Sequence, residues 1–370
     1  MRKVALLGFL AVFYLAVSLA VFGQSVSASG SLTYEYPIKT PPGAGGMAPS
    51  LSLVYDSAMG NGILGMGWAI KGLSAITRDP TYQITFNDDL DHFLYDGQKL
   101  VKGADGLYQT KTETFLRIQF VYPNSTASYW TVTDKRGRTI YFGDSSDSHV
   151  DAVGRPGRAR VWAESRLQDT MGNYITVTYN NETSTGAYYP DRILYTKNDT
   201  NQPLLFNAIN FSYEPRADAF STYMPSGVNT NERLRWVSVL CGVNASGTNG
   251  TLVRKYSLDY RYSISTGRTQ LVSIREYGND GNWPSPGLVA GYAVTGTAGP
   301  ETRFSWGPAD ERNIPGLFLS QRWATQQGGY WDGQRWMIAD VNGDGLPDLI
   351  NVFNDNGSTS VDVHLSTGTG

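Results

Sequence analysis

The fold is decided by the stretch from Ser31 to Arg78, which contains Tyr34-Glu-Tyr-Pro37-Ile-Lys-Thr-Pro41-Pro42-Gly43, Pro49-Ser-Leu-Ser-Leu-Val-Tyr55, Gly60-Asn61-Gly62-Ile-Leu-Gly65-Met-Gly67-Trp68 and Gly72-Leu-Ser-Ala-Ile76-Thr-Arg78. Prolines and glycines divide this stretch into short runs, and apolar residues alternate with polar ones between Ser50 and Tyr55. Such alternation is typical of a β-strand with one buried face. The stretch therefore predicts short strands joined by tight turns.

The rest of the chain continues the same pattern. After residue 31, runs of four to eight residues rich in Val, Ile, Thr, Tyr, Phe and Trp are bounded by Gly, Asn and Asp, with almost no helical periodicity. Asp96-Gly97 separates two such runs and predicts a two-residue hairpin turn. Asp134-x-x-Gly137 and Asp169-x-x-Gly172 predict turns that begin with Asp and end with Gly. The chain is therefore predicted to be all-β, with a multi-stranded antiparallel domain.

Composition limits the class of protein. The chain has 370 residues, 41% of them hydrophobic, and a formal net charge of −3, which suits two globular domains rather than a disordered chain. The sequence shows no basic patch, so nucleic acid is not an expected partner. Cys241 is the single cysteine, so no disulfide can form within the chain, and we expect it to be a small buried apolar residue.

Residues 1–28 have the pattern of a secretory signal peptide. Arg2 and Lys3 precede an uncharged apolar run from Val4 to Phe22, and small residues end the segment at Ala28. We therefore expect cleavage after Ala28 and a secreted, extracellular protein with no membrane span after cleavage. The apolar run is long for a signal, so an uncleaved segment that anchors the protein in the cell envelope is the alternative.

The stretch from Ser31 to Arg78 resembles the amino-terminal domain of the Salmonella virulence plasmid B protein (SpvB-type) family, which is shared with the B components of insecticidal toxin complexes. The motifs Pro-Pro-Gly, Leu-Ser-Leu-Val-Tyr, Gly-Asn-Gly, Gly-x-Gly-Trp and Ile-x-Arg follow the family's order at close to its spacing, and weaker similarity continues to Trp306. The resemblance implies that residues 29–307 form this β domain. The turns at Asp134 and Asp169 are similar to the tyrosine-aspartate (RHS) repeats of the family.

The resemblance also implies a function. In the toxin complexes, the equivalent region is part of a β-rich shell that encloses a toxic carboxyl-terminal polypeptide. We therefore expect a non-catalytic scaffold or delivery module of a secreted RHS-type or toxin-complex B-like virulence protein, forming part of a longer polypeptide. Its expected partners are a channel-like component of the toxin complex or a downstream effector segment of the same polypeptide. A Ca²⁺-stabilised cell-surface adhesion or wall-associated protein is the alternative.

An acidic loop carries the strongest candidate site, and its predicted ligands are Asp340, Asn342, Asp344, Leu346 and Asp348. Four oxygen-bearing side chains share nine residues, Gly345 permits a tight bend, and Leu346 can offer its carbonyl, so we expect a structural Ca²⁺ ion. An EF-hand would need a Glu where Asn351 stands, as well as flanking helices. The loop instead resembles FG-GAP or VCBS repeats, which implies that residues 308–370 are an incomplete repeat, the first blade of a truncated β-propeller. A turn that needs no metal is the alternative.

Enzymatic activity is not expected. The sequence lacks Gly-x-Ser-x-Gly, His-Glu-x-x-His and Walker motifs, and it lacks the Glu-x-Glu element on which the ADP-ribosyltransferase of one family member depends. Gly60-x-Gly62-x-x-Gly65 matches the dinucleotide fingerprint in spacing, but no helix pattern follows, so a tight loop packed by Trp68 is expected instead. The acidic run at Asp88, Asp89 and Asp91, with His92, is expected to be a solvated turn.

Overall fold

The structure is a computed structural model that describes residues 25–124, 127–200, 205–222, 226–289, 292, 294–306, 318–327, 335–339, 347–355 and 358–366. In these residues the chain forms twenty-seven β-strands and a single 3-10 turn at Ala44–Gly46, with no α-helix. This confirms the predicted all-β class. The described part of the chain contains no helix long and apolar enough to span a membrane. Residues 1–24 of the predicted signal peptide lie outside the described residues.

A small amino-terminal sheet is built from the stretch that predicts the fold. Its strands and an adjoining hairpin are β1 Ser25–Val26, β2 Leu32–Ile38, β3 Leu51–Asp56, β4 Asn61–Gly62, β5 Gly65–Met66 and β6 Trp68–Lys71. The sheet order is β1-β2-β3-β6, and β4 pairs only with β5. β3 matches the strand predicted from the alternation between Ser50 and Tyr55.

Eight antiparallel strands close into a barrel. The strands in this region are β7 Ala75–Arg78, β8 Phe93–Tyr95, β9 Gln98–Lys102, β10 Tyr108–Thr110, β11 Arg117–Asn124, β12 Ala127–Thr133, β13 Thr139–Phe142, β14 His149–Ala152 and β15 Arg155–Gln168. Each strand from β7 to β13 pairs with the next, and β13 pairs with β15. β15 closes the ring by pairing Val161–Ala163 with β7. β14 pairs with the first part of β15.

The barrel interior is a packed core. Every strand of the ring contributes at least one buried side chain: Ile76, Phe93, Leu100, Tyr108, Ile118, Trp130, Val132, Phe142, Ala159 and Trp162. Phe93 lies at its centre, with its ring 5.0 Å from that of Trp130 and 5.6 Å from that of Trp162, both near edge-to-face. An eight-stranded barrel is just wide enough for side chains to fill, and here large aromatic rings fill it.

The last motif residue, Arg78, is buried at the wall of the barrel. Its side chain is fully buried and donates to Asp91 at 2.6 Å, to Asp88 at 2.5 Å and to the Ala159 carbonyl at 2.7 Å. Its guanidinium also lies over the Trp162 ring at 5.1 Å. Asp91 is itself buried. The expected solvated turn is therefore wrong for Asp91, because the acidic run supplies the partners of a buried arginine.

β15 also starts a second, open sheet. The further strands are β16 Asn173–Glu182, β17 Ala187–Asn198, β18 Phe206–Thr222, β19 Val228–Val243, β20 Thr251–Tyr262, β21 Thr269–Tyr277, β22 Gly287–Leu288 and β23 Ala298–Arg303. Antiparallel pairings run in order from β15 to β21 and then to β23. The short β22 adds a parallel pairing to β18.

The amino-terminal sheet packs on the open sheet and forms the largest core. Tyr36, Leu53 and Trp68 from the small sheet share one buried cluster with Tyr213 and Tyr256 of the open sheet. The Tyr36 and Tyr256 rings meet edge-to-face at 6.1 Å. Two sheets packed face to face bury the apolar side of each, which explains the alternating pattern of β3.

A separate four-stranded antiparallel sheet follows. It contains β24 Phe318–Gln327, β25 Arg335–Ala339, β26 Asp348–Asp355 and β27 Ser358–Ser366, in the order β24-β27-β26-β25. β25 precedes the acidic loop in the chain, and β26 and β27 follow it. The division between residues 307 and 308 stays a prediction, since neighbouring residues lie outside the described ranges.

The predicted turns are confirmed. Asp96 and Gly97 both have positive φ and join β8 to β9. Asp134 accepts backbone hydrogen bonds from Arg136 and Arg138 through one carboxylate oxygen, and Asp169 makes the same pair of bonds two and four residues onward. Asn244 forms a third such turn, with its amide oxygen accepting from the backbone of residues 246 and 248. The Asp-x-x-Gly pattern does not include this turn, because Asn244 stands where the other two turns have Asp.

The buried Asp91 predicts a measurable loss of stability. We expect Asp91→Ala to lower the free energy of unfolding by about 3 kcal/mol, because Arg78 loses one of its two carboxylates while it remains buried. The matched control Asp89→Ala removes an exposed carboxylate and should change stability by less than about 0.5 kcal/mol. Urea unfolding at pH 7 measures both; equal losses in the two variants would contradict the role of Asp91.

The same pair, Arg78 and Asp91, predicts how the stability of the protein falls at acid pH. Burial raises the pKa of Asp91, but hydrogen bonds from Thr85 and the charge of Arg78 outweigh burial and lower this pKa below 3.8. The contribution of Asp91 is therefore present above its unfolded pKa and is lost as the pH falls through the lower folded pKa. The difference between wild type and Asp91→Ala should shrink below about pH 4.

Candidate functional site

The acidic loop joins two neighbouring strands of the carboxyl-terminal sheet. β25 pairs with β26 and ends with Ala339 opposite Asp348, as expected for a loop within one sheet. Asp348 is fully buried and accepts a hydrogen bond from the Ser366 amide at 2.8 Å. Asp340, Asn342, Asp344 and Leu346 lie outside the described residues. A buried carboxylate at the end of the loop is compatible with a metal ligand, and the Ca²⁺ site stays a prediction.

The glycine-rich loop is a structural anchor. Gly62 and Gly65 are paired in the β4–β5 hairpin, which confirms the tight loop in place of a helix. The buried Arg216 donates to the Gly62 carbonyl at 2.8 Å and to Asn61 Oδ1 at 2.9 Å. Asp218 binds the same guanidinium through both oxygens at 2.9 Å. The Gly-Asn-Gly motif therefore binds an arginine of β18.

Two glycines of the motif are required by close packing. Gly72 has a φ of +104°, and a Cβ there would lie 2.0 Å from the Ser50 carbonyl oxygen. Gly67 has a φ of +73°, and a Cβ there would lie 2.5 Å from the Tyr55 ring. A side chain at either position would clash with β3 or the residue before it, so only glycine allows β6 to lie this close to β3.

A cavity of about 460 Å³ lies where the amino-terminal sheet, the barrel and the open sheet meet. Its wall is mainly apolar and aromatic, and it includes Ile63, Trp68, Ile70, Leu73, Tyr188 and Val228. Pockets for small molecules have volumes of roughly 300–1,000 Å³ and combine apolar walls with a few polar groups. Arg160 of β15 is the charged residue among the described lining residues.

Two buried carboxyl groups have raised pKa values. Burial raises the pKa of Glu164 to about 7, although a hydrogen bond from the Ser74 amide opposes the shift. Burial also raises the pKa of Glu232 to about 7, with a further contribution from the charge of Glu182. Glu164 Oε2 caps the start of β7 by accepting the Ser74 amide at 3.1 Å. This hydrogen bond links Glu164 of β15 to the residue before β7, so Glu164 has a structural role in joining the two strands.

Among the described residues, Cys241 and the acidic run at Asp88, Asp89 and Asp91 belong to no metal-binding group. Cys241 is half-buried in β19 and is a free thiol, so it is less buried than expected. Within the described ranges, no group of three or more His, Cys, Asp or Glu side chains is placed to hold a metal ion.

Sequence comparison relates the first half of the chain to known virulence proteins. The family model for Salmonella virulence plasmid 65kDa B protein matches residues 26–114 and 105–205. The Mono(ADP-ribosyl)transferase SpvB of Salmonella choleraesuis is 26% identical over 194 residues, which are 44% of this chain and 32% of that protein. The protein of the same name from Salmonella enteritidis is 25% identical over 189 residues, 42% of this chain and 31% of that protein. The match thus spans about a third of the length of these curated relatives.

Solved structures share the fold over a larger part of the chain. The crystal structure of TcdB2-TccC3-Cdc42 has a TM-score of 0.63 at 19% identity, and covers 89% of this chain and 18% of that one. The Photorhabdus luminescens Tc holotoxin pore has a TM-score of 0.65 at 20% identity, with 92% and 18% covered. The amino-terminal domain of SpvB from Salmonella typhimurium has a TM-score of 0.56 at 20% identity, with 65% and 98% covered. These matches show that residues 26–205 are similar in sequence to the SpvB family model and that this chain shares its fold with the solved structures.

Proposed function

We propose that this chain is a non-catalytic scaffold module of a secreted RHS-type or toxin-complex B-like virulence protein. In this proposal the module contributes to a β-rich shell and docks onto protein partners. The observation that carries this proposal is the fold, which is shared with TcdB2-TccC3-Cdc42 over 89% of this chain. The sequence match to the SpvB family over residues 26–205 supports it independently.

The proposed lack of catalysis is supported by the part of SpvB that this chain matches. The similarity is to the amino-terminal domain of SpvB, which is separate from its ADP-ribosyltransferase part. The motif residue Arg78, and Arg216, which binds the Gly-Asn-Gly motif, are both buried and bound by carboxylates of this chain. Side chains that are fully used in internal contacts stabilise the module and leave its function to its surfaces.

The same similarity supports the proposed partners and location. A channel-like component or a downstream effector segment of the same polypeptide would contact the module from outside its cores. The relatives are toxins, which favours an extracellular protein, whether released or anchored in the cell envelope.

Residues 318–366 fit the first blade of a β-propeller. Their sheet has four antiparallel strands, the number found in a propeller blade, and β25, β26 and β27 form a meander. The acidic loop connects the first two strands of that meander. In this proposal Ca²⁺, held by the predicted ligands around Asp344 and Asp348, stabilises the loop.

Protease protection tests the shell. In the parent polypeptide, we expect the effector segment to resist trypsin under native conditions, because the shell excludes the protease. Asp91→Ala should increase cleavage by loosening the barrel, while the exposed control Asp89→Ala should leave protection unchanged. An effector segment that is cut equally fast in native and urea-treated protein would contradict a shell and favour the adhesion alternative. The chain without that segment should transfer no ADP-ribose from NAD⁺ to lysate proteins.

Calcium titration tests the acidic loop. In the parent polypeptide, Ca²⁺ should stabilise the propeller by about 2.7 kcal/mol at a hundredfold excess over Kd. Asp344→Ala should remove most of the increment from this loop, while Asp105→Ala, in a turn of the barrel region, should retain it. Calorimetry that detects neither heat of binding nor a Ca²⁺-dependent melting shift would show that the loop is a turn without a metal.

A further inference from the structure

Arg160 differs from the other deeply buried arginines of the chain. Arg78 and Arg216 have fully buried side chains, and each pairs with at least one carboxylate. Arg160 is only 7% exposed, but its described hydrogen bond is a donation to the neutral Gly186 carbonyl. In the described part of the chain its Nε has no hydrogen-bond partner. This arginine therefore carries a buried positive charge that the described residues leave without an anion.

An unpaired buried charge is costly. The guanidinium remains protonated in proteins, so it cannot escape the cost by losing a proton. Burial without a counter-charge costs several kcal/mol, and a paired carboxylate offsets much of that cost. The Tyr188 ring lies 5.6 Å from the guanidinium and gives a weaker cation–π contact. An anion at Arg160 would supply the interaction that Asp91 and Asp218 supply to the other two arginines.

The cavity indicates what kind of anion would bind. Arg160 lines the cavity of about 460 Å³, and the other described lining residues are uncharged. A dianion such as phosphate would be left with one uncompensated charge, whereas a carboxylate matches one guanidinium in charge and can accept two parallel hydrogen bonds. Ile70, Leu73 and Val228 offer apolar surface to the rest of the ligand.

A second unsatisfied donor lies on the same wall. Trp68 is 3% exposed, and its indole Nε1 has no hydrogen-bond partner in the described residues. The Tyr179 hydroxyl, by contrast, donates to the Glu164 carbonyl, and the Tyr189 hydroxyl accepts from the Asn231 amide. Tyr179 is therefore occupied as a donor, and the unpaired donors of this wall in the described residues include Arg160 Nε and Trp68 Nε1.

We propose that this cavity binds a small organic monocarboxylate with an aromatic or short branched aliphatic body, whose carboxylate pairs with Arg160. The site is independent of the scaffold role, because it uses contacts inside this chain alone. It lies where β7, β15 and β17 meet the amino-terminal sheet, so a bound ligand would tie these elements together and raise the stability of the module.

Binding can be measured by calorimetry and thermal unfolding of the full chain with phenylacetate and 4-methylpentanoate. We expect saturable heat and a melting temperature that rises with concentration for at least one of them. Phenylacetamide has the same body without the charge and should give neither effect. Inorganic phosphate should give a much smaller shift than the carboxylate. Equal shifts from the acid and the amide, or equal shifts from phosphate, would overturn the proposal.

Three variants assign the site. Arg160→Gln should lose at least tenfold in affinity, while Arg158→Gln, an exposed arginine of the same strand, should bind as wild type does. Thr230→Trp keeps Arg160 and fills the cavity, so it should also lose binding. This variant carries the test if Arg160→Gln fails to fold. Unchanged affinity in Arg160→Gln or in Thr230→Trp, or no binding of either carboxylate to wild type, would overturn the proposal.

Discussion

The two edges of β15 constrain the whole arrangement. On one edge, Ala163 receives the Gly143 amide and donates to the Ser148 carbonyl, which attaches β13 and β14. On the other edge, the Glu164 amide donates to Ser74 and the preceding residues pair with β7. The last residues of β15 then pair with β16 on that same edge. A strand has only two edges, so β7 and β16 share the second edge of β15. β15 therefore belongs both to the closed barrel and to the open sheet.

This division explains the two cores and the cavity between them. Trp162 points into the barrel and Ala163 into the core of the open sheet, as alternation along a strand requires. The chain passes from β6 of the amino-terminal sheet to β7, which pairs with β15. At this branch point the amino-terminal sheet separates from the barrel, and the space between them is the cavity lined by Arg160. The motifs near the amino terminus support the branch, since Arg78 and the Gly60–Trp68 loop hold its sides. A rigid module of this kind is suited to a scaffold whose surfaces contact other proteins.

Local features were predictable, and distant pairings were not. The Asp96-Gly97 and Asp-x-x-Gly turns depend on residues within five positions, so the sequence alone predicts them. The closure of β7 on β15 joins residues that are far apart in the chain, and alternation cannot indicate which strand is the partner. The acids at Asp88 and Asp91 resemble a solvated turn in the sequence, because nothing in the sequence indicates that the loop carrying them folds back onto Arg78 at the end of β7. The sequence does not indicate that Arg160 is buried, because an arginine within a β-strand pattern is ordinarily an exposed residue.

The shared edge of β15 can be tested by a disulfide between β7 and β15. Thr77 is paired with Val161, so Thr77→Cys with Val161→Cys, in a Cys241→Ser background, places two thiols opposite each other. Thr77→Cys with Arg158→Cys is the control, because three residues along the strand separate the thiols by about 10 Å. The closed barrel predicts efficient oxidation of the first pair, a higher melting temperature that reductant reverses, and no cross-link in the control. Failure of the first pair to cross-link in folded protein, or equal cross-linking in the control, would contradict the closure.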